Sequence, residues 1–532
     1  MFKLFSFFLI ILTTLISAEV PQLTKMQKSM DFNNLVTLIN TNYGMLAFKK
    51  ANIIQTDYKE WVKSYYFKVN ATKSDAEYYN TVREFISYYK DAHFSIDSLF
   101  NKTVYFLQPD FQYIQGKVLL SKKNNSPATF TAAIGDELLE FDGIPINDYL
   151  TSLSHQSSCG GTAVAIKGAV APYLTFRLQG ALPPQTETSK LKIKSFSDGT
   201  EKTYELKWEA TIWDNIYRRL PEQAVCSLAD WLEWRPDRLM VPAALYQHLK
   251  EEITGDLASA RAPALTYEII TVPLGIKNYK IGHIWIRQYG GWTSSQFSTM
   301  VQSLAECDGL LIDQRNNPGG SGGLMFSVVM NLADKDFQNS VFSVRLNRKW
   351  LSSIQDQYEG YLNDSTATTE EIATIKGYYD TMFKNVADGK AFSDFMPLFW
   401  VPTLPAAGQS FKKPILFMIN SQCYSCGDIT PAILQDNCKG QRIKIYGETT
   451  AGAGGNVNSY GPLMLSELNI SLTESIIRRA DGTFIENSGI SPDVKDEYTR
   501  ADLVSSSQGT DSYSTRALTQ LMRMIVGGKE SE

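Results

Sequence analysis

A chain of 532 residues is too long for one hydrophobic core, so its length predicts two to four domains. Apolar residues make up 43% and charged residues 20% of the sequence, which is ordinary for a soluble globular protein. The net charge of −5 is mild and no block of lysine and arginine occurs, so we expect neither nucleic acid nor an anionic membrane surface as a partner.

Residues 1–18 have the three-part layout of a secretory signal peptide. Lys3 supplies a positive charge, an apolar stretch runs from Leu4 to Ile16, and Ser17-Ala18 offers a small-residue cleavage site. The stretch is short for a membrane-spanning helix, and an uncleaved anchor is the alternative. No later stretch reaches ~18 consecutive apolar residues, so we expect an exported protein, periplasmic or secreted, with no membrane contact after signal removal.

Residues 19–104 are predicted to form an N-terminal helical region. Apolar residues recur at helical spacing from Met26 to Ile39 and again from Tyr78 to Tyr89. The region carries His93, which is one of only four histidines in the chain. A lone histidine is usually structural, so the residues alone leave its role open.

Residues 105–210 change to alternating, strand-like runs of residues. Gly-Asp-Glu-Leu-Leu-Glu-Phe-Asp-Gly, which spans 135–143, resembles the Gly-Asp-x-Ile-Leu-x-Ile-Asn-Gly segment of PDZ domains. This PDZ-like domain should hold Gly143 in a hairpin turn between two strands. No glycine-containing loop suited to gripping a peptide carboxylate is evident, so the sequence leaves peptide binding open.

Residues 211–265 form a connecting segment that mixes arginine and glutamate with Trp213, Trp231 and Trp234. A plain linker has little need of three tryptophans, because each can bury ~150–250 Å² when packed. We therefore expect this segment to pack against a neighbouring surface.

Residues 266–510 alternate strand and helix signals in the manner of an α/β domain. Continuous apolar runs at 281–286, 309–313 and 415–420 fit strands that are buried on both faces. A long, partly helical excursion, residues 335–410, separates the second run from the third.

Two of these runs end in residues suited to acyl transfer. One leads into Pro318-Gly319-Gly320, and glycine amides at the carboxyl end of a sheet can hold an oxyanion. The other leads into Cys423-Tyr424-Ser425-Cys426, where a strand-to-helix turn would project the serine hydroxyl and aim the next amide at the same space. Taken singly, such a glycine turn or serine is most often structural.

Four ordered motifs resemble those of the C-terminal processing, or tail-specific, serine peptidase family. They are the strand end at 313–320, the serine turn at 421–428, Gly-Glu-Thr-Thr-Ala-Gly at 447–452 and Glu-x-x-Gly-x-x-Pro-Asp at 486–493. The resemblance implies a crotonase/ClpP-like α/β catalytic domain with an N-terminal helical segment and an inserted PDZ-like domain. It also implies a serine endopeptidase that acts on proteins or peptides without a metal or organic cofactor.

One departure from the family pattern concerns the catalytic base. Many members use a Ser-Lys dyad whose lysine lies in Gly-Lys-Gly, but Ala453 stands at that position in this chain. Other members use Ser, His and Glu, so the resemblance implies a triad of Ser425, His93 and Glu486. Activity would then depend on a group that titrates near pH ~6–7, as an ordinary imidazole does.

The resemblance also assigns the oxyanion hole to the backbone amides of Cys426 and of either Gly319 or Gly320. Two alternatives stay open. One is a non-catalytic, ligand- or protein-binding member of the same fold. The other is a Ser-Lys dyad peptidase that recruits a lysine such as Lys444 from elsewhere.

The connecting segment 211–265 has two readings. By resemblance, it is an inhibitory cover over the active-site cleft that is cut during zymogen activation, and exposed arginine pairs there are typical nicking sites. Otherwise it is a structured connector that stays intact.

Cys423 and Cys426 form a Cys-x-x-Cys that lacks a second ligand pair, so we interpret them as buried residues flanking a turn. The sequence leaves open whether the protein forms a homodimer.

Overall fold

The computed structural model describes residues 22–97, 103–154, 160–178, 183–212, 263–438, 441–466 and 468–527. The predicted signal peptide and nearly all of the connecting segment 211–265 lie outside these residues. Within the described ranges, no helix combines the length and apolar character needed to cross a bilayer.

Helices occur in the N-terminal region, in the PDZ-like part and throughout the α/β domain. In chain order, the α-helices of the described residues are α1 (Lys25–Asn42), α2 (Leu46–Asn52), α3 (Tyr58–Ala71), α4 (Asp75–Ser87), α5 (Ile146–Leu153), α6 (Ala163–Val170), α7 (Ser294–Ser303), α8 (Gly322–Leu332), α9 (Arg348–Asn363), α10 (Thr369–Ala387), α11 (Cys426–Cys438), α12 (Arg500–Ser507) and α13 (Ser512–Gly527). Short 3-10 helices cover Ala171–Leu174 and Leu398–Trp400.

The strands fall into several sheets. In chain order they are β1 (Ser95–Asp97), β2 (Thr103–Phe106), β3 (Asp110–Ile114), β4 (Lys117–Lys122), β5 (Glu137–Phe141), β6 (Ile144–Pro145), β7 (Phe176–Leu178), β8 (Thr188–Lys194), β9 (Glu201–Lys207), β10 (Glu209–Ile212), β11 (Leu265–Leu274), β12 (Lys277–Ile286), β13 (Gly309–Asp313), β14 (Phe337–Gln338), β15 (Val341–Val344), β16 (Met396–Pro397), β17 (Thr403–Leu404), β18 (Ile415–Ile419), β19 (Ile443–Gly447), β20 (Val457–Tyr460), β21 (Asn469–Thr473), β22 (Ser475–Arg478) and β23 (Val494–Lys495).

The central sheet has six strands in the order β11-β12-β13-β18-β19-β23. β11 pairs antiparallel with β12, and the other pairs are parallel. Every residue of β13 and β18 is buried, as the continuous apolar runs predicted. Helices α7, α8 and α11 cover one face and α13 covers the other. Because β13 and β18 run parallel, the loops after both strands leave the same edge of the sheet.

The PDZ-like part is built on an antiparallel sheet in the order β3-β4-β5-β8-β9, with β6 paired to β5. Asp142 and Gly143 both have positive φ, 51° and 78°, in the tight turn between β5 and β6. Positive φ at two central residues is the pattern of a type I′ hairpin turn, which an Asp-Gly pair favours. The predicted hairpin at Gly143 is therefore confirmed.

Helices α1 to α4 form the predicted N-terminal helical region. Thr24 begins α1 with a capping box to Gln27, which satisfies amides that the first turn would otherwise leave unpaired. The apolar core of these helices continues into residues after β20 and on β21, including Leu463 and Ile470. β1 then pairs antiparallel with β21, which joins the chain just after His93 to the catalytic domain. The excursion at 335–410 contains α9 and α10, as predicted.

Candidate active site

Ser425 lies in a sharp turn between β18 and α11. Its φ of 60° is left-handed, which is costly for a residue with a side chain and persists only where neighbouring contacts hold it. Its N–H donates to the carbonyl of Ala453 at 2.8 Å, and its own carbonyl accepts from the amides of Asp428 and Ile429 at 2.9 and 3.1 Å. These hydrogen bonds hold the backbone of Ser425 on both sides, and its hydroxyl lies at the start of α11.

The loop after β13 packs directly against this turn. A Cβ added to Gly319 would lie 2.8 Å from the amide nitrogen of Cys426 and 2.9 Å from Ser425 Oγ. Gly319 also has a φ of +94°, so both the space and the backbone conformation require glycine. The Tyr424 amide donates to the carbonyl of Asn317 at 3.1 Å, which closes the contact between the two loops.

The two predicted oxyanion glycines differ in the state of their amides. The Gly319 N–H already donates to Asn317 Oδ1 at 2.7 Å. The Gly320 carbonyl accepts from the Cys426 thiol at 3.2 Å, and no acceptor within the described residues takes the Gly320 N–H. Cys426 begins α11, so its N–H has no partner within the helix. Of the two glycines, Gly320 is therefore the one whose N–H is available to bind an oxyanion.

His93 reaches the serine turn from the N-terminal region. Its ring centroid lies 5.8 Å from that of Tyr424, the residue before Ser425. The His93 amide donates to Asp91 Oδ1 at 2.9 Å, while Asp91 Oδ2 accepts from Tyr43 and Thr473 at 2.8 and 2.7 Å. Asp91 therefore anchors the His93 backbone to both the helical region and the catalytic domain.

Burial sets the charge state of this imidazole. The side chain of His93 is buried, and desolvation lowers its pKa below the ordinary value, whereas the nearby charge of Asp91 acts in the opposite direction. His93 Nδ1 is buried and has no hydrogen-bond partner within the described residues. The ring is thus mostly neutral at neutral pH, which is the state a general base requires.

Glu486 lies on the loop that follows β22. The amide of the next residue, Asn487, donates to the Gly452 carbonyl at 2.8 Å, one residue before the Ala453 carbonyl that receives Ser425. The Glu486 carboxyl is buried, and burial raises its pKa above the ordinary value, whereas the charge of Lys49 opposes that shift. Lys49 Nζ donates to Glu486 Oε1, whereas Oε2 has no partner within the described residues.

The chain matches two protein-family models. Residues 280–496 match the model of peptidase family S41, and residues 106–223 match a PDZ domain model. Residues 280–496 are therefore similar to peptidase family S41. The predicted resemblance to the tail-specific peptidase family is confirmed, and the matched region includes Ser425, Gly319, Gly320 and Glu486.

Two relatives are chlamydial proteins without a functional name. A protein of Chlamydia pneumoniae is 32% identical over 247 residues, which cover 43% of this chain and 39% of that protein. The chain thus matches about two fifths of that relative's length. A protein of Chlamydia muridarum is 26% identical over 450 residues, which cover 70% of this chain and 72% of the relative.

Two solved structures support the predicted fold class. Mature CPAF superposes with a TM-score of 0.73 at 22% identity, over 94% of this chain and 98% of CPAF. The complex of mature CPAF with lactacystin gives 0.72 at 23% identity, over 94% and 99% of the two chains. The predicted α/β fold with N-terminal helices and a PDZ domain is therefore confirmed, and it is similar to that of chlamydial CPAF.

The structure brings the predicted residues into one region without completing the predicted triad. Ser425 contacts the Gly319 loop, and His93 lies beside Tyr424. The hydrogen bond expected from the imidazole to Glu486 is not formed. Within the described residues, His93 Nδ1 and Glu486 Oε2 are both buried without partners.

Sequence reasoning missed two charged residues of this site. Asp428 is fully buried and accepts from the Thr450 hydroxyl and from the amides of Gly452 and Ala453, the last two at 3.2 and 2.8 Å. Burial raises the pKa of Asp428 to about 7. Its place in Ser-Cys-Gly-Asp, where the family has Ser-Ala-x-Glu, was a signal that could have identified it. The other missed residue, Lys49, has no such motif around it.

Lys444 and the two free cysteines of the Cys-x-x-Cys motif lie in structural positions. Lys444 lies on β19 opposite Leu416, near the beginning of β18 and at the other end of that strand from the serine turn. Cys423 and Cys426 are buried, and their thiols donate to backbone carbonyls of the loop after β13. The interpretation of these cysteines as buried residues flanking a turn is confirmed.

Substitution of Gly319 tests whether the two loops are in contact. Gly319→Ala should displace Ser425 and lower its labelling rate by a fluorophosphonate on the order of 100-fold, since small misplacements of reacting groups cost that much. Gly323→Ala is the control, because its nearest atom, Ser321 Oγ, is 3.7 Å from the added Cβ. Equal labelling rates for wild type and Gly319→Ala would contradict the packing described.

Proposed function

We propose that this protein is an exported serine endopeptidase that cleaves proteins through an acyl-enzyme on Ser425. The observation that carries the proposal is the left-handed turn at Ser425, which begins α11 beside a glycine loop. Such a turn presents a nucleophile together with the amide that follows it. The match of residues 280–496 to peptidase family S41 supports peptide bonds as the substrate.

Acylation begins when Ser425 Oγ attacks the carbonyl carbon of the scissile peptide and its proton passes to the imidazole of His93. The carbonyl π electrons move onto oxygen, and the N–H groups of Cys426 and Gly320 stabilise that negative charge. The C–N bond then breaks, and the imidazolium gives its proton to the departing amine. An ester on Ser425 and a free amine result.

Deacylation repeats the sequence with water as the nucleophile. His93 takes a proton from the water while its oxygen attacks the ester carbon, and the oxyanion forms again in the same position. The bond from the carbon to Ser425 Oγ breaks, and Oγ recovers the proton from His93. Throughout, the carboxylate of Glu486 would stabilise the imidazolium and hold its orientation.

The nucleophile is tested by Ser425→Ala. This change should reduce casein hydrolysis on the order of 10⁶-fold, because loss of a serine nucleophile typically costs that much. The thermal unfolding midpoint should stay close to that of wild type. Ser303→Ala is the matched control, since Ser303 is exposed on α7 and should leave hydrolysis unchanged. Casein hydrolysis by Ser425→Ala within about tenfold of wild type would contradict a serine peptidase with Ser425 as its nucleophile.

The base is tested by the pH profile of kcat/KM. The base must be neutral, so activity falls as pH drops through its pKa. Burial lowers the pKa of His93, so we expect the acid limb below the ordinary imidazole value of ~6.5 rather than at it. His93→Ala should abolish activity at every pH. An acid limb above about pH 8, with His93→Ala still active, would indicate a lysine base.

Export and activation belong to the same proposal, although both segments lie outside the described residues. The signal-like residues 1–18 support an N-terminus at Glu19 after secretion, and the tryptophans of 211–265 support a segment that covers the cleft until cut. Mass spectrometry of wild type secreted from a bacterial host should find two associated fragments divided within 211–265. Ser425→Ala should begin at Glu19 but remain a single chain. An undivided, fully active wild type would exclude activation by cleavage.

A further inference from the structure

Lys49 is a buried cation whose three N–H groups all have acceptors. The side chains of Lys49 and Glu486 are both 0% exposed. Lys49 Nζ donates to Glu486 Oε1, to Asn487 Oδ1 at 2.6 Å and to the carbonyl of Lys90 at 3.1 Å. An ammonium has three donors, so no further hydrogen bond is available from it.

These contacts join the two loops that carry the proposed base and its carboxylate. Lys90 precedes His93 by three residues and has a left-handed φ of 47°. Asn487, next to Glu486, donates its side-chain amide to the Lys90 carbonyl at 2.9 Å and to that of Gly161 at 3.0 Å. The Lys90 carbonyl thus accepts from both Lys49 and Asn487, which ties the loops together.

The charges around Glu486 make the lysine important. Asp91 and Asp428 both disfavour ionisation of Glu486, as burial does, and Tyr43 also lies within its electrostatic reach. Lys49 alone among the groups acting on Glu486 favours the carboxylate. Of the lysines that the structure describes, only Lys28 and Lys49 are buried, and Lys28 pairs with Asp75 instead.

We propose that Lys49 is a positioning residue for the reaction on Ser425, which holds Glu486 as a carboxylate with Oε2 free to accept from His93. The inference rests on the proposed function. Among the residues that the structure describes, Oε2 is an acceptor without a donor, and His93 Nδ1 is the complementary ring nitrogen without a partner. When His93 takes the proton of Ser425, the negative charge kept by Lys49 stabilises the imidazolium.

The test removes the charge and follows pH. Lys49→Met should raise the pKa of Glu486 further, because it removes the charge that favours the carboxylate, so a smaller fraction of Glu486 is ionised at neutral pH. We expect kcat to fall at least about tenfold at pH 7, with KM little changed, and to recover as pH rises toward ~9. Lys50→Met is the matched control, since that neighbouring lysine is exposed over the ring of Tyr58.

A double variant separates positioning from general damage to the fold. If Lys49 acts through Glu486, then Lys49→Met combined with Glu486→Gln should be no slower than Glu486→Gln alone. Neither variant with Glu486→Gln should recover at high pH, because glutamine does not titrate. Lys49→Arg should restore much of the rate by restoring the charge.

Two results would overturn the inference. One is a Lys49→Met enzyme with the kcat and pH profile of wild type. The other is a double variant far slower than Glu486→Gln, which would show that Lys49 acts by another route. Failure of the proposed function is a separate result, since it would appear as casein hydrolysis by Ser425→Ala.

Discussion

The parallel pairing of β13 and β18 is the constraint on which the site depends. Asp313 pairs with Met418, so the two chains leave the sheet together, one toward Gly319 and the other toward Ser425. Their loops are then close enough that only glycine fits at 319. The left-handed conformation of Ser425 persists because β18 and α11, both extensively buried, hold its two ends. A packed sheet edge thereby positions a hydroxyl that a surface loop would leave mobile.

Buried carboxyl groups impose the second constraint. Asp91, Asp428 and Glu486 are each at most 2% exposed, and burying an isolated carboxylate costs several kcal/mol. Asp91 and Asp428 are compensated by hydroxyl and amide donors, so each also fixes a loop. In the described part of the chain, Glu486 receives one donor, the ammonium of Lys49, and keeps one oxygen unpaired. Unpaired buried oxygens are rare in folded proteins, and they concentrate where function requires them.

The sequence predicted features that arise locally and missed those that arise from distant contacts. Continuous apolar runs identify β13 and β18 because a strand buried on both faces needs apolar residues throughout. The hairpin at Gly143 and the turn at Ser425 follow from short motifs with a local conformational cause. No local motif predicts the role of Lys49, since its partner Glu486 is 437 residues away in the chain. The choice between Gly319 and Gly320 depended on the direction of one Asn317 side chain, which no pattern encodes.

Position 453, where many family members carry a catalytic lysine, is an alanine in this chain, and a different lysine, Lys49, lies buried at the site. Ala453 is fully buried, its amide donates to Asp428, and its carbonyl accepts from Ser425, so its backbone supports the turn. The cation at this site comes instead from α2 in the N-terminal region, as does the imidazole of His93 from the loop after α4. Both residues lie outside 280–496, the part that matches peptidase family S41. The matched region therefore carries Ser425, the proposed nucleophile, and its glycine loop, and the proposed chemistry requires the N-terminal helices to be packed against it.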